Sequence, residues 1–144
     1  MIFLDSNILV YSVDERDEYK FAIATSILDN ALNDRDEYAI AVQTLAEFTN
    51  VAIGKLALPP NEVVDFVNTY SDITTVRPDH EIVVRGVTIK NRYDIQFYDA
   101  MMLAAAERAG ATEIYTEDLN DGQFYCNIKA VNPFKGTDTD ASSS

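Results

Sequence analysis

The stretch Ile2-Phe3-Leu4-Asp5-Ser6-Asn7 decides the fold. Three apolar residues near the start of the chain read as a short buried strand. The run stops at a carboxylate followed by two small polar residues. Asp5 is the only charged side chain among the first 13 residues, in a chain with 24 acids. An acid at the C-terminal end of a strand lies at the rim of a parallel sheet, where open α/β sheets bind ligands.

Outward from this strand, short apolar runs alternate with helical patterns. Further strands are expected at residues 38–42, 73–76, 113–116 and 128–131. A helical turn at 7–13 follows the first strand. Tyr19, Ala22, Ile23, Ile27 and Ala31 recur near 3.6 spacing and predict an amphipathic helix over 15–32. Helices are also expected at 43–56, at 61–70 with Asn61 as N-cap, and from Pro78-Asp79 to about residue 92. The inward stripe of that last helix would be Ile82, Gly86 or Val87, Ile89 and Tyr93. A final helix at 95–109 would close on Gly110 as left-handed terminator. Alternating strands and helices imply an α/β fold: a central parallel sheet of four or five short strands flanked by helices. No repeat or linker divides the chain, so one domain spans 1–135, followed by a polar, flexible tail at 136–144.

Bulk composition bounds the function. The 144 residues are 47% hydrophobic and 10% aromatic, enough for a real core. Apolar runs are too short to span a bilayer, and no signal peptide is recognisable. The single cysteine, Cys126, has no partner within the chain. These features lead us to expect a cytoplasmic protein. A net charge of −13 sits awkwardly with nucleic-acid binding, which normally uses Lys and Arg.

Three acids stand in apolar surroundings. Asp5 is the first. Glu47 is the second, because between positions 39 and 58 the only charges are Glu47 and Lys55. Asp99 is the third: it is the only charge between positions 95 and 106, and Met102, Leu103 and Ala106 follow on its helical face. A fourth acid comes from Thr116-Glu117-Asp118-Leu119-Asn120-Asp121-Gly122. Asp118 is the choice, just past the strand end, with Glu117 and Asp121 as alternatives. Asp5 or Asp99 could instead merely cap a helix, Glu47 could pair with an arginine, and Asp118 could be a turn residue. Two like charges at about 4 Å repel by about 4 kcal/mol at an effective dielectric near 20. Four converging carboxylates therefore take up protons or a counter-charge. Oxygen-only ligands select Mg²⁺ or Mn²⁺ over Zn²⁺.

Asp5-Ser6-Asn7 after an N-terminal strand, Ala46-Glu47-Phe48, Tyr98-Asp99-Ala100 and Thr116-Glu117-Asp118 together resemble the motifs of PIN-domain ribonucleases. The similarity is to VapC-like toxins of toxin–antitoxin modules and covers the chain to about Pro133. It implies a Mg²⁺- or Mn²⁺-dependent endoribonuclease in which Asp5, Glu47, Asp99 and Asp118 form the acidic, metal-holding cluster and water attacks the phosphodiester. Ser6, Asn7 and Thr116 would orient ligands, with Glu117 and Asp121 as further polar support. It also implies a homodimer and an antitoxin partner. Many relatives carry an acid-x-acid-Phe run after the last Thr; the run here differs, which leaves the fourth acid open.

Arg77, Arg85, Lys90 and Arg92 are four of only 11 basic residues. Arg85 and Arg92, seven apart, share a helix face; with Lys90 they are the candidate RNA contacts. His80 reads as a surface residue, Cys126 as partly buried and Met101-Met102 as core; tyrosines could stack on bases, but most read as packing groups. The alternatives are a catalytically inert PIN-like interaction module and another Mg-dependent phosphotransfer domain. A receiver would want an acid pair after its first strand, and a haloacid-dehalogenase-type phosphatase would want Asp-x-Asp, where this chain has Asn7. No Gly-rich phosphate loop ending in Lys is present.

Overall fold

A computed structural model describes residues 1–136. Six strands form one sheet: β1 (Ile2–Leu4), β2 (Tyr38–Ala41), β3 (Thr74–Val76), β4 (Glu113–Tyr115), β5 (Phe124–Tyr125) and β6 (Ile128–Val131). Their order is β3-β2-β1-β4-β6-β5. All neighbours are parallel except the β5–β6 pair. Six α-helices flank the sheet: α1 (Ser6–Tyr11), α2 (Glu18–Asn33), α3 (Val42–Gly54), α4 (Pro60–Tyr70), α5 (His80–Tyr93) and α6 (Phe97–Ala109).

Strand alternation divides the core into two layers. Phe3, Ala39, Ala41, Ile114 and Ala130 face one layer with Ile82 and Ile89 of α5 and Met102, Leu103 and Ala106 of α6. Leu4, Ile40 and Ile73 face the other, with Ile8 and Leu9 of α1, Ile27 and Leu28 of α2, Phe48 of α3, and Val63 and Tyr70 of α4. β1 and β2, at the centre of the sheet, are thus apolar on both sides, as a sheet covered by helices requires. No helix among the described residues is long and apolar enough to cross a membrane.

Between Ile82 and Ile89, Gly86 is the third buried residue of α5. A methyl group there would come within 3.1 Å of Met101 Cγ and 3.3 Å of Phe97. The glycine lets α5 and α6 approach closely, and it rather than Val87 completes the inward stripe; Val87 is exposed. Gly110 ends α6 at φ +80°, as expected.

Two expectations need correction. The sheet has a sixth strand, β5, only two residues long. It pairs antiparallel through a turn in which Cys126 and Asn127 both take positive φ, 53° and 65°; neither is a glycine, so the usual hairpin signal is missing. Helix α4 begins at Pro60 with Pro59 as its cap, not at Asn61, because a first-turn proline lacks only a donor that would be unpaired anyway. A 3₁₀ turn over Arg35–Glu37 leads from α2 into β2. From residue 137 the expected tail lies outside the described residues.

Candidate active site

The C-terminal ends of β1 and β4 lie side by side, Leu4 in register with Tyr115. The next residues, Asp5 and Thr116, continue that edge: Asp5 N–H donates to the Tyr115 carbonyl at 3.0 Å, and Thr116 N–H to the Val131 carbonyl at 3.0 Å. Both side chains are buried, Asp5 4% and Thr116 1% exposed. Thr116 Oγ1 donates to Asp5 Oδ2 at 2.6 Å. Ser6 supplies its backbone N–H to Asp5 Oδ1 at 2.6 Å and its hydroxyl at 3.3 Å. Asp5 therefore does cap α1, but the cap uses only one of its two oxygens.

Asn7 links Asp5 to Asp118. Its Nδ2 donates to Asp5 Oδ2 at 3.1 Å and to Asp118 Oδ2 at 3.3 Å. Its Oδ1 is buried with no hydrogen-bond partner, an unusual state for a buried polar atom. Asp118 N–H donates to Thr116 Oγ1 at 3.0 Å, which fixes the Asp118 backbone against Asp5.

Asp99 stands in the first turn of α6, where the helix dipole favours a negative charge. Glu47 stands on α3 and is more exposed than the apolar sequence around it suggests: the helix turns that face to the cleft rather than to the core. Gln43, one turn earlier, donates from Nε2 to Glu47 Oε1 at 3.2 Å and to the Tyr98 carbonyl at 3.2 Å, tying α3 to the start of α6. Glu47, Asp99 and Asp118 line one cleft of about 590 Å³ with Asp94, Ile95, Gln96, Tyr98 and Leu119. A larger groove of about 1170 Å³ follows the open edge of β3 past Arg35 and Arg77 and holds none of these acids.

Three of the four acids have raised pKa values, each chiefly through burial. Burial raises the Asp5 carboxyl to about 7, and the charges of Asp118 and Glu47 add to it, against the hydrogen bonds from Thr116 and Ser6 that lower it. Burial, then Asp118 and Glu47, push Asp99 up to about 6. Burial and Asp118 raise Glu47, against its bond from Gln43. Among the described residues no ion pair joins a Lys or Arg to any of the four.

The two other acids of the 116–122 run point elsewhere. Glu117 accepts from Tyr11 Oη at 2.6 Å and from Lys20 Nζ at 3.0 Å. Asp121 accepts from Asn132 N–H at 2.8 Å and lies 3.7 Å from Lys135 Nζ. Asp118 alone of the three is brought to the cleft. The basic helix face is partly occupied: Arg85 makes a two-pronged pair with Glu107 at 2.8 and 3.0 Å, and Arg92 lies over the Tyr93 ring at 5.3 Å. Lys90 and Arg92 fall in the last turn of α5, just before Asp94 and the cleft.

Gln43 and Asp94 were not singled out in the sequence. Gln43 carries no charge to draw attention. Asp94 sits in a left-handed C-cap at φ 53°, a place where an Asp reads as ordinary.

The donor set tests whether a cation fits. No three His, Cys, Asp or Glu side chains among the described residues stand gathered as a ready ligand cage. The available donors are nevertheless all oxygen, their charges have no cationic partner, and one buried amide oxygen on Asn7 is free. That chemistry fits a hard divalent ion.

A family model of the PIN domain matches residues 2–124. The chain belongs to the PIN domain family. Two solved structures share the PIN fold with it. One is a toxin–antitoxin complex from Klebsiella pneumoniae, with TM-score 0.69 and 21% identity, covering 92% of this chain and 98% of the other. The second is VapC20 from Mycobacterium tuberculosis, a sarcin–ricin-loop-cleaving toxin, with TM-score 0.67 and 14% identity, covering 90% and 99%. No curated protein matches the chain significantly.

Proposed function

We propose that this PIN-domain chain is a divalent-metal-dependent endoribonuclease, the toxin of a toxin–antitoxin pair. One observation carries the reading. Glu47, Asp99 and Asp118, from distant parts of the sequence, line a single cleft, Asp5 is joined to Asp118 through Asn7, and among the described residues no Lys or Arg pairs with any of the four. Such an arrangement costs stability unless a cation enters. The toxin–antitoxin complex and the RNA-cleaving VapC20 among its structural neighbours support the substrate class and an antitoxin partner.

In this proposal Asp5, Glu47, Asp99 and Asp118 hold Mg²⁺ or Mn²⁺. When bound, the ion neutralises the cluster and supplies Lewis acidity toward a phosphodiester oxygen. The chain's own groups prepare the site. Thr116 and Ser6 fix the Asp5 carboxylate, Asn7 sets the spacing of Asp5 and Asp118, and Gln43 holds Glu47 toward the start of α6. Water adds to phosphorus as the bond to the leaving ribose oxygen breaks, and that oxygen takes up a proton. Lys90 and Arg92, with Arg85 as a weaker contributor because Glu107 already engages it, are the proposed RNA contacts. The protein acts in the cytoplasm as a homodimer. An inert interaction module has no observation in its favour, since all four positions keep their carboxylates.

The test is cleavage of RNA by purified protein with Mg²⁺ or Mn²⁺. Activity should stop with EDTA and disappear in Asp5→Asn and in Asp99→Asn while circular dichroism stays native. Undiminished cleavage in both variants refutes the assignment.

A further inference from the structure

Tyr98 is 65% exposed, more than any other large hydrophobic side chain among the described residues. A single exposed apolar group needs no explanation; its position does. Tyr98 lies on the wall of the acidic cleft, immediately before Asp99. Its backbone carbonyl is held by Gln43 at 3.2 Å. Its ring is braced by the edge of Phe97, centroids 5.6 Å apart at 64°. An aromatic ring with an anchored backbone and one packed edge is thus presented to solvent beside the acids.

The cleft lining sharpens the point. It carries Glu47, Asp94, Asp99 and Asp118 and no Lys or Arg. Such a wall gives a polyanion no electrostatic attraction of the usual kind. What it offers besides a cation site is the Tyr98 ring. Aromatic rings bind single-stranded nucleic acid by stacking on the π-face of a base, largely without regard to sequence. A base paired inside an RNA duplex cannot present that face to a side chain.

We infer that Tyr98 is a stacking platform for one unpaired nucleobase next to the bond that is cut. The inference rests on RNA being the substrate of the cleft. It makes the substrate single-stranded or looped at the cleavage position, and it places part of the binding energy on a base rather than on phosphates.

The experiment is anisotropy of a short, labelled, single-stranded oligoribonucleotide with Mg²⁺, measured on the Asp99→Asn protein so that no cleavage intervenes. Adding Tyr98→Ala should weaken binding about 10-fold, while Tyr98→Phe, which keeps the ring, should restore it. An abasic site moved along the oligonucleotide should weaken binding at one position with Tyr98 present, and the Tyr98→Ala protein should lose that position-specific penalty. Unchanged affinity in Tyr98→Ala overturns the inference. So do equal abasic penalties in both proteins, or an effect confined to self-association or protein-partner binding. RNA binding that depends on Tyr98 in a wild-type protein that never cleaves would sink the nuclease proposal and leave the platform standing. Cleavage with Tyr98-independent binding would do the reverse.

Discussion

Thr116 Oγ1 donates to Asp5 Oδ2 at 2.6 Å across 111 residues of sequence, and the same oxygen accepts the Asp118 N–H at 3.0 Å. One buried hydroxyl therefore sets two of the four acids. Thr116→Val keeps the shape and removes the hydroxyl, so that Asp5 Oδ2 keeps only its bond from Asn7 and the Asp118 N–H loses this acceptor. An unsatisfied buried group costs about 1–3 kcal/mol. We expect Thr116→Val to lose about 2 kcal/mol in urea denaturation and at least about 10-fold in RNA cleavage. Thr116→Ser, which keeps the oxygen, should recover most of both. Equal losses in the two variants would show that the methyl group, not the hydroxyl, matters.

Asp5 is raised from 3.8 to about 7 and Asp99 from 3.8 to about 6, both chiefly by burial. The folded chain thus holds these protons more tightly than the unfolded chain. Their contribution to stability is fully present below about pH 4 and is lost as pH rises through 6 and 7. Without divalent ions, thermal melts should show Asp5→Asn gaining on the wild type between pH 4 and 7 and levelling off above. A divalent cation reverses the balance, because it binds the ionised cluster. At about 100 times its Kd, Mn²⁺ should raise the wild-type Tm by about 5–10 °C at pH 8. The rise should be smaller at pH 5 and absent in Asp5→Asn.

Asp118 and Glu117 are neighbours with opposite surroundings. Glu117 is tied to Lys20 and Tyr11, and Lys20 also lies over the Tyr11 ring at 4.6 Å. Burial opposes the Lys20 charge, but the bonds to Tyr11 and Glu117 outweigh it and raise its pKa. This group fastens α1 and α2 to the loop after β4. Asp118→Asn should lower kcat at least about 100-fold, whereas Glu117→Gln should stay within about 5-fold. Lys20→Met should instead cost about 1 kcal/mol, read as a Tm lower by about 3 °C. A catalytic collapse in Glu117→Gln would move the fourth acid back to position 117.

The same pair shows where the sequence stops being informative. Asp5 and Asp99 were legible because a carboxylate among apolar residues has few reasons to be there. Glu117, Asp118 and Asp121 share one polar run, and periodicity says nothing about which of them faces the cleft. Lys20 on α2 and the Asn132 backbone decide it, and neither is distinguishable in sequence from other polar surface groups. The parallel strands are legible as short apolar or β-branched stretches, such as residues 2–4, 38–42 and 73–76. β5 is not, because two residues carry no period and its turn uses Cys126 and Asn127 where a glycine would have announced it. Nothing in the sequence separates Tyr98 from the packing tyrosines as one that could stack on a base, since an aromatic beside a buried helix face gives no sign of which way it turns.

The basic residues of α5 divide by what already holds them. Arg85 spends its guanidinium on Glu107, 2.8 and 3.0 Å away. Lys90 and Arg92 have no ion-pair partner among the described residues and lie a turn or less before Asp94 on the cleft wall. Each phosphate neutralised on single-stranded RNA adds about 0.7 to the slope of log K against log salt. Lys90→Ala with Arg92→Ala should therefore flatten that slope by about 1.4 and weaken binding similarly for all sequences. Arg85→Ala should leave the slope nearly unchanged and act on stability by less than about 1 kcal/mol, since its pair is half in solvent. A full unit of slope lost in Arg85→Ala would mean that Glu107 releases its partner to RNA and that the face binds as a whole.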